Sequence, residues 1–155
     1  MNKTLALWTR FSRWPLGPWL FSQAVCRRAP YFATVRPRIV SLQPNRCEAL
    51  IRKRRRVQNH IGTVHVIAIS NGLELAMGVM AEASIPAHLR WIPKGMTLRY
   101  TAKADSDIRV IAELPDDAWE HGPDVQVPVR ALRADDTVVV EGEIHLWVTE
   151  KPPKT

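Results

Sequence analysis

The sequence predicts an α+β domain in which an antiparallel β-sheet wraps around one long central helix, with an extra helix near the N-terminus. Three observations predict it. Residues 63–82 are apolar on nearly every side, as a helix buried in a core is. Several runs after residue 87 alternate polar and apolar residues with period two and are separated by turn-forming residues, the pattern of an antiparallel meander. Two short strand patterns precede the helix, joined by Gln43-Pro44-Asn45. At 155 residues the chain suffices for one domain with a substantial core. It divides into a basic, aromatic extension and helix over 1–28, a main domain over 29–150 and a disordered tail over 151–155.

Taken in order, residues 1–14 form a loose basic lead in which Trp8, Phe11 and Trp14 are placed to pack on the domain or to touch a membrane surface. Pro18 suits the first turn of a helix that runs to about Arg28, with Trp19, Leu20, Gln23 and Ala24 at helical spacing and Pro30 as its stop. Strands are expected over 36–42 and 46–53. The second runs into Arg52-Lys53-Arg54-Arg55-Arg56, where an extended backbone sets Arg52, Arg54 and Arg56 on one side. Gly62-Thr63 supplies a break and a cap for the central helix. Gly72 and Gly78 each cost that helix about 1 kcal/mol relative to alanine, which calls for a sheet or helix approaching closely. Ser84-Ile85-Pro86 ends it. The meander then reads as strands over 88–92, 96–103, 108–114, 125–133 and 137–149. Pro93-Lys94-Gly95 stops the first, and Pro128 marks an edge or bulge in the fourth.

The formal charge of +7 is uneven, because no acidic residue precedes Glu48. Such a balance attracts phosphorylated cofactors, anionic membranes or nucleic acid. Cys26 and Cys47 have no metal-type spacing and read as reduced thiols of a cytoplasmic protein. The histidines also lack metal spacing, and no phosphate-loop or dinucleotide motif is present, so no metal and no cofactor are expected. The apolar residues near the N-terminus are broken by Trp14-Pro15 and Gly17-Pro18, so neither a signal peptide nor a spanning helix is expected there. An acid-free, arginine-bearing start also resembles an organelle transit peptide.

The most informative stretch runs from Gln58 to Gly78. A polar loop with Asn59, His60 and Gly62 enters the apolar helix, and one carboxylate, Glu74, sits in the middle of it. A carboxylate buried there costs several kcal/mol unless paired or protonated. Desolvated carboxylates have raised pKa values and gather at active sites.

The spacing Asn59-x-x-Gly62-Thr63-x-His65, followed nine positions later by Glu74, resembles the hotdog-fold acyl-CoA thioesterases, in the branch that includes the phenylacetate-pathway type. Ala29-Pro30-Tyr31-Phe32-Ala33-Thr34 and Arg90-Trp91-Ile92-Pro93-Lys94-Gly95-Met96 are similar to an uncharacterised thioesterase-like subfamily. The resemblance covers about residues 30–149. It implies that Glu74 is the general base that activates water on the thioester carbon, or the nucleophile. It further implies that Asn59 positions the water or thioester and that the backbone N–H of Val66 is the oxyanion donor. A helix N-terminus suits that last role, since it offers unpaired N–H groups and partial positive charge. In this family the site lies between subunits, which implies a homodimer or a dimer of dimers. One departure stands out: where that branch has Gly-Gly after the histidine, this chain has Val66-Ile67.

The other candidate residues are weighed on geometry. Nine residues at about 100° each put His65 half a circumference from Glu74, so His65 is better placed as a helix-start hydrogen-bonding residue than as the base. His60 is the second polar candidate in the loop. Asn71, about one turn before Glu74, is placed to hydrogen-bond it. Gly62 and Thr63 shape the substrate-side loop, and Arg52, Arg54 and Arg56 would dock the phosphates of coenzyme A, which is part of the substrate. The rival reading of Glu74 is a structural acid paired with Arg90 or Arg99. Three functions follow: a thioesterase acting on an acyl-CoA or acyl carrier protein thioester; a non-catalytic acyl-thioester binder, motivated by Val66-Ile67; and a nucleic-acid-binding protein, motivated by the arginine run. The scarcity of aromatics near that run argues against the third. Peripheral membrane contact through residues 1–28 accompanies the first.

Overall fold

The computed structural model describes residues 2–152. Helices α1 (Lys3–Phe11) and α2 (Gly17–Arg28) and a 3₁₀ turn (Pro30–Thr34) lead into β1 (Arg38–Gln43) and β2 (Arg46–Ile51). A second 3₁₀ turn (Arg55–Val57) precedes α3 (Val66–Ser84). Then come β3 (Leu89–Tyr100), β4 (Ile108–Glu113), β5 (Asp124–Leu132) and β6 (Val138–Glu150). The strands form one sheet in the order β1-β2-β4-β5-β6-β3, with every neighbouring pair antiparallel. It wraps around α3, which packs on β1, β2, β4, β5 and β6. This is the hotdog arrangement, with two helices added before it.

The core follows from the helix composition. Ile69, Leu73, Leu75, Met77 and Met80 are at most 1% exposed. A Cβ on Gly72 would lie 2.5 Å from Cδ1 of Ile51 and 3.5 Å from Cγ2 of Val110, so this glycine lets α3 settle on β2 and β4. Gly78 instead faces the Trp91 ring, 3.4 Å from where its Cβ would be. The helix is long and apolar enough to cross a membrane, but 67% of that window is buried inside the domain. Cys26 and Cys47 are buried and free, and burial pushes both thiols above their usual pKa.

Several local expectations are corrected. The lead is a helix: Asn2 Oδ1 accepts from the Thr4 N–H at 2.8 Å and Trp8 packs edge-on to Phe21 at 5.2 Å. It turns into α2 so tightly that a Cβ on Gly17 would fall 1.6 Å from the Phe11 carbonyl oxygen. The central helix starts at Val66, because the preceding residues are held as a separate turn and His65 takes the cap. The arginine run is not an extended stripe. The strand stops at Ile51, the Lys53 N–H donates to Asp107, and the chain curls at Arg55–Val57. Pro93-Lys94-Gly95 does not stop a strand: β3 runs through it with a bulge between Pro93 and Gly95, which an edge strand tolerates. Pro128 lies in β5, inside the sheet, but one residue beyond its last pair with β4 (Ala112 with Val129). There β5 is locally an edge. In the tail, Lys151 is tied by its N–H to His88 O at 2.8 Å and by Nζ to Ala87 O at 2.7 Å; 153–155 lie outside the described residues.

Candidate functional site

The loop before α3 is shaped by its own polar side chains. Asn59 Oδ1 accepts from the N–H groups of Ile61 and Thr63 at 3.2 and 3.1 Å, and its Nδ2 donates to Thr63 Oγ1 at 2.8 Å. Gly62 has φ +78°, where a side chain would be strained. The loop closes through a Gln58–Val64 bridge and a hydrogen bond from the Val64 N–H to Ala104 O at 2.8 Å. The chain then enters α3 with His65 as N-cap, its Nδ1 accepting from the Ile67 N–H at 3.1 Å. The Val66 N–H is left with no partner among the described residues. Asn59, His60, Thr63, His65 and Val66 all line one cavity of about 570 Å³, closed on its far side by residues 100–104 at the end of β3.

Glu74 opens elsewhere. It lines a chamber of about 600 Å³ whose walls are largely apolar: Leu7 from α1, Phe21 and Val25 from α2, Phe32, and Trp91 at the start of β3. The carboxylate is half-buried rather than enclosed. Arg90 bonds Thr149 and Arg99 pairs with Glu141, so neither neutralises it. Its one basic companion in the chamber wall is Arg28. Within one chain, then, the structure brings Asn59, His60, Thr63, His65 and Val66 together and holds Glu74 apart from them.

The remaining candidates also disperse. Asn71 does not hydrogen-bond Glu74. It is 5% exposed, with both amide atoms buried and unpartnered, and lines a third, smaller cavity with Arg56. Arg54 turns inward, its Nη2 donating to Val35 O. Burial, then the charges of Arg36 and Arg56, pull its guanidinium below the usual pKa. Arg52 is exposed and lines none of these three cavities. No group of three or more metal-binding side chains is present among the described residues.

Sequence reasoning placed the N-terminal segment against the domain but missed which residues of α1, α2 and the first 3₁₀ turn wall the chamber around Glu74, because their packing partners are distant in sequence. Their signal was compositional: more large apolar side chains in the extension than its own helices can bury.

The sequence model of a family described as a domain of unknown function (DUF4442) matches residues 17–148. No curated protein matches the chain. Among solved structures, a structural-genomics target is 42% identical with a TM-score of 0.84, covering 96% of this chain and 99% of that one. A Pseudomonas aeruginosa protein of unknown function, described as a probable thioesterase, is 23% identical with a TM-score of 0.73, covering 82% of this chain and 91% of its own. A thioesterase family protein from Silicibacter pomeroyi is 19% identical with a TM-score of 0.67, covering 84% and 96%. The last two establish a shared fold.

Proposed function

The chain belongs to the DUF4442 family, and from that premise we propose that it is a cytoplasmic acyl-CoA thioesterase that hydrolyses its substrate between two copies of itself. The observation that carries the reading is an unpaired carboxylate, Glu74, at the wall of an apolar chamber, on the helix whose first N–H, that of Val66, is free.

The acyl group would lie in the chamber and the thioester carbonyl at the Val66 N–H. Glu74 takes a proton from water as the water attacks the carbonyl carbon, or attacks that carbon itself. The oxygen that becomes anionic accepts from Val66, at the positive end of α3. The carbon–sulfur bond then breaks and the thiolate leaves, taking the proton from Glu74 where Glu74 has acted as base. Where Glu74 has attacked the carbon itself, the thiolate takes its proton from solvent and a water hydrolyses the acyl–Glu74 anhydride, releasing the acid and freeing the carboxylate. Asn59 shapes the loop and retains a second amide N–H for water or substrate. His65 holds the cap, and His60 lies at the rim of the same cavity. Exposed Arg52 remains to attract coenzyme A phosphates; an acyl carrier protein is the alternative carrier.

The separation of Glu74 from Val66 supports a two-copy site. Strand β3 is an edge with Ile92, Met96 and Tyr100 exposed at 61%, 37% and 63%, a length of open edge that folded proteins normally cover. Antiparallel pairing of two β3 strands about Gly95 would set Tyr100 of one copy, which walls the Val66 cavity, opposite the partner's Arg90 and next to the partner's Trp91, which walls the Glu74 chamber. The turn between α1 and α2 is the surface we assign to peripheral membrane contact: Trp14, Leu16, Trp19 and Leu20 are exposed at 70%, 67%, 47% and 47%, next to exposed Arg10 and Arg13.

The test is free-thiol release from short, long and aromatic acyl-CoAs, wild type beside Glu74→Ala. Loss of a general base lowers the rate by about 10²–10⁴-fold, with the circular dichroism spectrum unchanged. Full activity in Glu74→Ala sinks the mechanism. Saturable acyl-CoA binding with no thiol release from any substrate favours the binder, whose motive is the bulk of Val66-Ile67.

A further inference from the structure

We propose that the third cavity, between the Pro30–Thr34 turn, the Arg55–Val57 turn and the first half of α3, is a binding site for a small oxyanion of the phosphate or carboxylate class, held by Asn71 and Arg56. The cavity measures about 230 Å³ and opens on Tyr31, Thr34, Arg56, Gln58, His65 and Asn71, the rest of its wall being aliphatic. It is too small for an acyl group with its carrier. It does not rest on thioester hydrolysis, because Glu74 and the Val66 N–H line other cavities.

Three observations converge on an anion. Asn71 is 5% exposed, yet neither Nδ2 nor Oδ1 has a partner. A buried amide in that state is destabilising, and leucine would fill the same space without the penalty. A ligand that offers both an acceptor and a donor would complete the side chain. No carboxylate lines the cavity, while Arg36, Arg54 and Arg56 cluster behind and beside it with no ion pair among the described residues. Arg54 even leaves its buried Nε without a hydrogen bond. An anion in the cavity would therefore meet positive charge and no competing carboxylate. Finally, the cavity abuts the N-terminal turns of α3, the end of a helix that favours anions.

The two free atoms of Asn71 also rank the ligands. Nδ2 donates to any oxyanion oxygen, but Oδ1 needs a donor. Hydrogen phosphate carries an O–H that serves it, and a plain carboxylate does not. Phosphate comes either as the free ion or as the phosphate group of a nucleotide.

The experiment is calorimetric titration of the full chain at constant ionic strength with inorganic phosphate, acetate and adenosine 3′,5′-bisphosphate in separate arms. Saturable phosphate binding is expected, weakened at least tenfold by Asn71→Leu and by Arg56→Met, with Asn71→Leu melting at or above the wild-type temperature. Tighter binding of the bisphosphate than of phosphate identifies a nucleotide phosphate as the source, and equal binding identifies the free ion. Acetate binding that both substitutions weaken places the ligand in the carboxylate branch of the same class. The proposal is overturned if no anion saturates. It is equally overturned if binding survives Asn71→Leu unchanged, which would reduce it to surface charge at Arg56.

Discussion

At the scale of single residues, a polar atom's meaning is set by what it is bonded to. Glu74 could be singled out from the sequence, because one acid in an apolar helical run is anomalous on energetic grounds alone. That it shares no cavity with Asn59 could not be, since spacing along the chain says nothing about which walls converge. Asn71 shows the same limit: one turn from Glu74, it faces Arg56 instead, and its missing partners emerge only once burial is known. Val66 offers the sharpest test at this scale. It is the first residue of α3, where proline is well tolerated, and His65 already has the extended backbone (ψ 135°) that a following proline requires. Val66→Pro therefore deletes one N–H and little else. Steady-state kinetics should show kcat falling by about 10²–10³-fold, the worth of an oxyanion donor, with the melting temperature held. An unchanged kcat removes Val66 from the mechanism.

At the scale of elements, α3 was legible because continuous apolarity over five turns admits few other readings. Its start was not, because Thr63 has the chemistry of a cap but is claimed by Asn59 as part of a turn. The strand through Pro93 was broken in the reading because proline and glycine are breakers in general; edge position is a tertiary fact that overrides them. Likewise α1 went unseen although Lys3, Leu5, Ala6, Leu7 and Arg10 are good helix formers, because a segment this short does not hold a helix by itself; it is secured by Trp8 on Phe21 and by the close turn at Gly17. That same turn leaves two tryptophans and two leucines outside, beside arginines. Such a tip has the composition of a segment that lies in a lipid interface. Co-sedimentation with vesicles containing anionic phosphatidylglycerol should pull the chain down. The paired substitution Trp14→Ser with Trp19→Ser should release it, since each exposed indole contributes burial to the bilayer and nothing to the core. Equal sedimentation of wild type and variant, or none of either, rejects the assignment.

At the scale of the whole molecule, α+β class, strand content and wrapped topology were readable from periodicity and order of elements. The location of a working site was not, because on the proposed pairing it is completed by a second copy. Mixed assemblies test this directly. Glu74→Ala and Val66→Pro chains, each inactive alone, should regain activity when unfolded together and refolded. Random reassortment of two chains makes half the dimers mixed, each with one intact site of two, so about a quarter of wild-type activity returns. No recovery means that both groups act from the same chain. The open β3 edge then has a consequence beyond geometry. A chain whose two halves of a site meet only across that edge is silent by itself, and below the dissociation constant of the pair its output falls with the square of its concentration. Abundance thereby acts as a control of second order: on the proposed pairing, halving how much of the protein a cell keeps would cut its output about fourfold without any separate regulator.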